Sequence, residues 1–214
     1  MRLRQPVLAA VCVIASACGS AAGGSSASQP APAATAAATA TPGAPACQNV
    51  DFRTCMAQRN TPPPTVIDLA KTYTATVHTS QGDFTLKLDS KVAPVTVNNF
   101  VYLAQEKYYD GLIFHRVVPG FVVQGGDPSG NGTGGPGYKL PNETNPSQWP
   151  KGTVGMASSA AGVNGSQFFI TIGDAPHLSG SGVYNHFGSV ASGQDVVDQI
   201  KVGTTIKSID VVAS

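Results

Sequence analysis

Charge is scarce in this chain: 12% of its 214 residues are charged, and the formal net charge is +1. No basic block occurs and no basic residues interleave with aromatic ones, so nucleic acid is not an expected partner. Long apolar runs are missing too. The one near the N-terminus, over residues 6–15, falls short of the roughly 20 residues a helix needs to cross a bilayer. Tryptophan occurs once, as Trp149, and the histidines His78, His115, His177 and His186 are scattered without ligand spacing. The cysteines follow no zinc pattern, so no metal site is expected. No Gly-x-Ser-x-Gly elbow is present, which argues against a serine hydrolase of that type. The glycine-rich stretch 125–137 lacks the Gly-Lys-Ser/Thr ending of a phosphate loop and precedes no helical pattern. No internal repeat is visible.

What is present changes sharply along the chain. Residues 1–17 place Arg2 and Arg4 before the apolar run and end in small residues, the layout of a secretory signal. Ala15-Ser16-Ala17-Cys18-Gly19 resembles a bacterial lipoprotein signal, with Ala15 in place of the usual large aliphatic residue. That resemblance implies cleavage before Cys18, lipidation of Cys18, and anchoring of the chain to the cell membrane on its extracytoplasmic side. Ordinary secretion with a nearby cut is the alternative. Residues 18–46 are almost wholly Ala, Gly, Ser, Thr and Pro. Such a segment cannot bury enough apolar surface to offset its ordering entropy, so it reads as a tether. Residues 47–70 form an extension in which Cys47 and Cys55 remain once Cys12 leaves with the signal. They suit a disulfide in an oxidising compartment, or else two free thiols. The triple proline 62–64 argues against a continuous helix there.

Residues 71–214 have the composition of a globular domain. Residues 73–79 and 84–88 alternate apolar with polar around a glycine-containing turn, which predicts a β-hairpin. Pro94 opens a helical pattern carried by Val97, Phe100, Val101 and Ala104. Short strand-like runs follow at 112–118, 121–124, 153–157, 168–172, 187–190 and 205–212, with a second helix at 194–201. Many short strands with two isolated helices predict a closed or nearly closed antiparallel β-barrel.

Two motifs carry a family likeness. The run from Tyr109-Asp110-Gly111 through Phe114-His115-Arg116 and Pro119-Gly120-Phe121-Val122-Val123-Gln124 to Asp127-Pro128 resembles the signature of the cyclophilins. Asn164-Gly165-Ser166-Gln167-Phe168-Phe169-Ile170 matches that family's other hallmark at the expected separation. Ala93-Pro94 with Thr96-Val97-Asn98-Asn99-Phe100 is similar to the first helix of bacterial members. The likeness spans about residues 73–212 and leaves the tether outside. It implies an eight-stranded antiparallel barrel capped by two helices, and isomerisation of X–Pro bonds in proteins folding outside the plasma membrane, without a cofactor. The expected partners are proline-containing segments of folding proteins, and a monomer is expected.

The resemblance also implies roles. Arg116 would donate to the prolyl nitrogen as the amide twists, and Gln124, eight residues on, would orient the arginine or the substrate carbonyl. Phe121, Val122, Phe169 and Leu178 would form the proline slot, although each also suits ordinary core. Gln167 would touch the substrate backbone, Ala157 and Ser158 would line the groove, and His115 would support the motif through a hydrogen bond. His177 stands where many eukaryotic members have tryptophan, and Tyr184 where they have histidine. The tryptophan's hydrogen bond to the cyclic peptide cyclosporin is therefore missing from the expected rim, and Trp149 lies elsewhere. A proline-binding chaperone or scaffold without turnover is the rival class, but a pure binder needs no charged donor at the prolyl nitrogen.

Overall fold

The computed structural model describes residues 51–57, 59–143, 148–179 and 184–214. The signal, the tether, Cys18 and Cys47 lie outside the described residues. The alternating runs form β1 (Tyr73–Thr79) and β2 (Gly82–Leu88), paired antiparallel with Tyr73 opposite Leu88. Tyr73, Ala75 and Val77 on one strand and Phe84, Leu86 and Leu88 on the other are buried, as a period of two requires. Pro94 begins α1 (Pro94–Gln105), and its Val97, Phe100, Val101 and Ala104 enter the core. Proline suits a first turn because its missing N–H has no helical partner there.

The remaining strands are β3 (Phe114–Val118), β4 (Val122–Gly125), β5 (Lys139–Leu140), β6 (Thr153–Ser159), β7 (Gly162–Thr171), β8 (His186–Ser192) and β9 (Ile206–Ala213). Among the described residues, eight strands run in the order β3-β4-β7-β6-β8-β2-β1-β9, and the two-residue β5 adds to β7. Every pairing is antiparallel. The ends of this sheet meet where the backbone before β3 bonds the backbone before β9. Gly111 N–H donates to the Ile206 carbonyl (2.7 Å), Ile206 N–H to Leu112 (2.8 Å), and Phe114 N–H to Thr204 (2.9 Å). Those bonds remove the edge that an open sheet would leave unpaired. Inside, Phe100 packs against Tyr109, Phe168 and Phe187 with ring centroids 5.2, 5.6 and 5.3 Å apart.

The expected eight-stranded antiparallel barrel with two capping helices is therefore met, with local differences. The second helix, α2 (Gln194–Asp198), stops short of the expected residue 201. Its last turn tightens, and the Thr204 hydroxyl takes the Lys201 N–H at 3.0 Å beside Gly203 at φ +90°. Strand β7 starts six residues earlier than its apolar run suggests, because Gly162 to Gln167 extend the pairing with β6 and β5.

The extension carries structure that composition did not reveal. A one-and-a-half-turn helix, Phe52–Ala57, buries Met56 completely in the main core and sets Phe52 against Tyr102 and Tyr108. Arg53 Nε donates to the Tyr108 carbonyl at 2.9 Å, and its guanidinium also reaches Asp110 O. Further on, Asn98 of α1 holds the proline-rich segment. Its Oδ1 accepts from Val66 N–H (2.7 Å) and Ile67 N–H (3.3 Å), and its Nδ2 donates to Pro64 O (3.0 Å). Cys55 is disulfide-bonded. The described part of the extension thus packs on the barrel. Met56→Ala should lower stability by about 2–5 kcal/mol, the usual cost of such a buried truncation. A shift in the urea unfolding midpoint, at unchanged slope, would measure it.

Candidate active site

The hairpin β3–β4 builds the site. Strand pairing sets Val118 opposite Val122 and Arg116 opposite Gln124, with the reversal at Pro119-Gly120, where Gly120 takes φ +71°. Strict alternation along β3 would put Phe114 and Arg116 on one face. The register instead shifts between them, because Phe114 pairs with Gly125 and Arg116 with Gln124. His115 is the extra residue of a β-bulge, and the bulge re-aims the side chains beyond it. Phe114 is wholly buried in the core, while Arg116 is exposed on the opposite face.

Pairing carries the site across the sheet as a row. Gln124 lies opposite Phe169, Phe169 opposite Gly155, and Gly155 opposite His186. The intervening positions Val123, Phe168, Ile170, Val154 and Met156 are fully buried in the main core. A second, smaller cluster lies on the site face: Val122, Trp149, Phe169, Ala175 and Leu178, with Val118, Phe121 and Tyr184 packed on it.

Above this cluster is a cavity of about 250 Å³ lined by Arg116, Phe121, Val122, Gln124, Ala157, Ser158, Phe169, Leu178 and Tyr184. Apolar walls with a few convergent polar groups are what a small ligand-binding pocket requires. The Arg116 guanidinium carbon lies 6.0 Å from the centroid of Phe121, and Nη1 donates to Gln124 Oε1 at 3.3 Å. The Tyr184 ring meets Phe169 edge-on at 5.7 Å. The Ser158 hydroxyl has no hydrogen-bond partner among the described residues.

Two expected residues stand outside that lining. Gln167 is buried behind it, with its side-chain amide donating to Gly132 O (3.0 Å) and Gly134 O (2.8 Å) and its Oε1 accepting from Gln124 Nε2 (2.9 Å). His177 is exposed beside Phe121, with ring centroids 4.6 Å apart. The hydrogen bond expected of His115 is absent: neither ring nitrogen has a partner among the described residues. The residue is half-buried, and its two ring nitrogens lie out of solvent contact beside the glycine-rich loop, where a Cβ on Gly132 would sit 3.8 Å from Nε2.

Three residues of the site escaped sequence reasoning. Trp149, 1% exposed, lies under the slot against Phe169 at 5.4 Å and Tyr184 at 6.2 Å. Gly155 makes room for the Phe169 and Trp149 rings, since a Cβ there would lie 2.7 Å from each. Asp127, 1% exposed, accepts the backbone N–H groups of Ser129 (2.8 Å), Asn131 (3.0 Å) and Gly132 (2.5 Å), which folds the glycine-rich stretch into a compact loop. The glycines after Asp127 were a signal for close approach to a side chain, and the acid was the only carboxylate nearby. Among the described residues no group of three or more His, Cys, Asp or Glu side chains could hold a metal ion.

Residues 74–213 match the family model described as cyclophilin type peptidyl-prolyl cis-trans isomerase/CLD. A peptidyl-prolyl cis-trans isomerase of Helicobacter pylori is 47% identical over 146 residues, covering 66% of this chain and 88% of that protein. A crystal structure of a Cryptosporidium parvum cyclophilin type isomerase is similar with a TM-score of 0.59 at 31% identity, covering 67% of this chain and 99% of that one. A second structure of that protein, determined in the presence of the dipeptide Ala-Pro, has a TM-score of 0.53 at 28% identity, covering 66% and 99%.

Burial holds His115 below the ordinary histidine value; Asp127 pulls it back up and Arg116 pushes it further down. Burial lowers His186 likewise, against its bond to the Gly188 carbonyl and the charge of Asp89. Both rings thus bind protons less readily in the folded chain than in the unfolded one. Their contribution to stability is complete above about pH 6.5 and is lost as the pH falls from there toward the folded values. The thermal midpoint should therefore drop between about pH 7.5 and 5.5, with a shallower slope in His115→Phe, as differential scanning calorimetry would record.

Proposed function

The chain belongs to the cyclophilin-type peptidyl-prolyl cis-trans isomerase family and is an isomerase; from that premise we propose that Arg116 drives the reaction by stabilising the twisted amide, on proteins folding outside the plasma membrane. The X–Pro bond turns slowly because the nitrogen lone pair is delocalised into the carbonyl, a barrier of about 18–20 kcal/mol for a peptide bond. No covalent bond breaks, so the catalyst has only to bind the twisted state better than either planar one. As the amide twists, the lone pair localises on nitrogen and becomes a hydrogen-bond acceptor. A guanidinium is permanently charged and offers several donors in a rigid fork. Arg116 lines an apolar slot fit for a proline ring, on the same hairpin as Phe121 and Val122. That juxtaposition carries the reading. With the ring held by Phe121, Val122, Phe169 and Leu178, the guanidinium faces the prolyl nitrogen instead of water. Gln124 holds the guanidinium and, with the groove at Ala157 and Ser158, receives the flanking peptide.

An extracytoplasmic site of action is supported by the positive N-terminal segment, the short apolar run before Cys18, and the disulfide-bonded state of Cys55, which persists in oxidising compartments. Lipidation of Cys18 would keep the domain at the membrane on its tether. Several acyl chains, as such lipoproteins carry, make anchoring stable where one does not.

The chemistry is tested by the cis-to-trans rate of an Ala-Pro or Phe-Pro peptide with the full chain and its Arg116→Ala variant, both checked for folding by circular dichroism. The wild type should accelerate exchange strongly and the variant should lose roughly a hundredfold or more, the scale of deleting one preorganised donor. A folded wild type that binds the peptide without changing its rate would establish a binding module instead. For the anchor, mass spectrometry of the mature chain purified from membranes should find an acylated N-terminal Cys18; an unmodified terminus elsewhere would disprove it.

A further inference from the structure

An exposed arginine on a strand has many rotamers, and catalysis by a fixed donor needs one. The polar contacts behind Arg116 supply a reason for a single orientation, and they lead to a residue outside the cavity lining. Arg116 Nη1 donates to Gln124 Oε1 (3.3 Å), and Gln124 Nε2 donates to Gln167 Oε1 (2.9 Å). Gln167 Nε2 donates to Gly132 O (3.0 Å) and Gly134 O (2.8 Å). Gly132 N–H in turn donates to Asp127 Oδ2 (2.5 Å). The side-chain donations all run the same way, from the guanidinium through Gln124 and Gln167 to the loop carbonyls, and Asp127 holds that loop by its N–H groups.

This polarity is forced. Backbone carbonyls can only accept, so the NH₂ of Gln167 must face the loop and its oxygen must face Gln124. The NH₂ of Gln124 must then face Gln167, which leaves its oxygen for the guanidinium. Chains of aligned hydrogen bonds also polarise one another. The whole sequence depends on the loop presenting the Gly132 and Gly134 carbonyls side by side. Asp127 folds it to do so with three charge-assisted bonds, which also satisfy a carboxylate that is 1% exposed. A Cβ on Gly134 would overlap the Asp127 carboxylate, so the loop closes over it only with glycine there.

We propose that Asp127 is a positioning residue for isomerisation: through the loop carbonyls, Gln167 and Gln124, its buried carboxylate fixes the guanidinium of Arg116 over the proline slot. The inference rests on the reading of Arg116 as the donor to the prolyl nitrogen. It also assigns the side chain of Gln167 to orienting Gln124 rather than to holding substrate. Asp127 touches none of the slot's apolar residues through this chain, so its loss should affect turnover and leave proline-peptide affinity intact.

The test uses the full chain with Asp127→Asn, Gln124→Ala, the double variant, Gln167→Met and Arg116→Ala, each compared with wild type by circular dichroism and thermal melting. Asp127→Asn keeps the size of the side chain but turns one acceptor oxygen into a donor facing the loop N–H groups. Gln167→Met cuts the same chain without touching the buried charge, and decides the matter if Asp127→Asn does not fold. Exchange rates and affinities for an Ala-Pro peptide are measured by NMR. The expected result is a fall in kcat of roughly ten- to a hundredfold in Asp127→Asn and in Gln167→Met, with Kd within about twofold of wild type. The double variant should be no slower than the slower single one, because both act on the same guanidinium. Wild-type kcat in both variants, a loss expressed in Kd, or independent losses that multiply in the double variant would each overturn the inference while an inactive Arg116→Ala left the reading of Arg116 standing. An Arg116→Ala variant with full activity would remove that reading and this inference with it.

Discussion

The site depends on one extra residue in β3. A β-strand sends successive side chains to opposite faces, so a hairpin that buries Phe114 would bury residue 116 as well. A guanidinium among Phe100, Phe168 and Tyr109 would bear a desolvation cost of several kcal/mol with no anion beside it. The bulge at His115 removes that conflict. It lets Phe114 sit in the core and brings Arg116 into register with Gln124 on the other face. The row Arg116, Gln124, Phe169, Gly155 then follows from strand pairing alone. His115 bears the consequence: its two ring nitrogens are out of solvent contact with no partner among the described residues, which the neutral ring tolerates better than the charged one.

Because the sheet has two faces, the chain builds two apolar clusters with different tasks. The larger lies inside the barrel and is centred on contacts of Phe100 with Tyr109, Phe168 and Phe187. The smaller lies on the site face, where Trp149 fills the space beneath Phe169 and sets its ring for the slot. Consecutive residues serve both: Phe168 belongs to the core and Phe169 to the slot. A rigid wall is thereby shared between stability and recognition. Side chains anchored in close-packed surroundings hold their geometry without reorganising.

Around this wall, separate pieces of chain are held by polar groups rather than by strand pairing. Asp127 folds the glycine-rich loop, and Asn98 clasps the proline-rich extension. Glu143 bonds the first turn of α1 through Val95 and Thr96 N–H, as a carboxylate at a helix N-terminus should. Asn185 ties that region back by donating to Thr96 Oγ1 and Pro141 O and accepting from Glu143 N–H. Each buried polar side chain satisfies backbone groups that irregular chain leaves unpaired.

Much of this was legible along the chain. Alternation and helical spacing located the first hairpin and α1, because burial on one face imposes a period that a single sequence displays. The two motifs singled out Phe121, Val122 and Phe169 and set Arg116 and Gln124 eight residues apart across a tight turn. Other features were not legible, for physical reasons. A bulge is a change of register between two strands, so no period of one strand reveals it. Trp149 stands alone in a polar, proline-flanked stretch, and only the return of the chain beside β6 and β7 places it under Phe169. The helix Phe52–Ala57 has a weak local signal, and its stability comes from Met56 and Arg53 reaching residues more than fifty positions away. The sequence by itself determined which residues could be inside and which chemistry was on offer, since apolar period and functional group are local properties. The tertiary structure decided which face each group occupies and what holds it there, because register, loop closure and hydrogen-bond polarity exist only between segments.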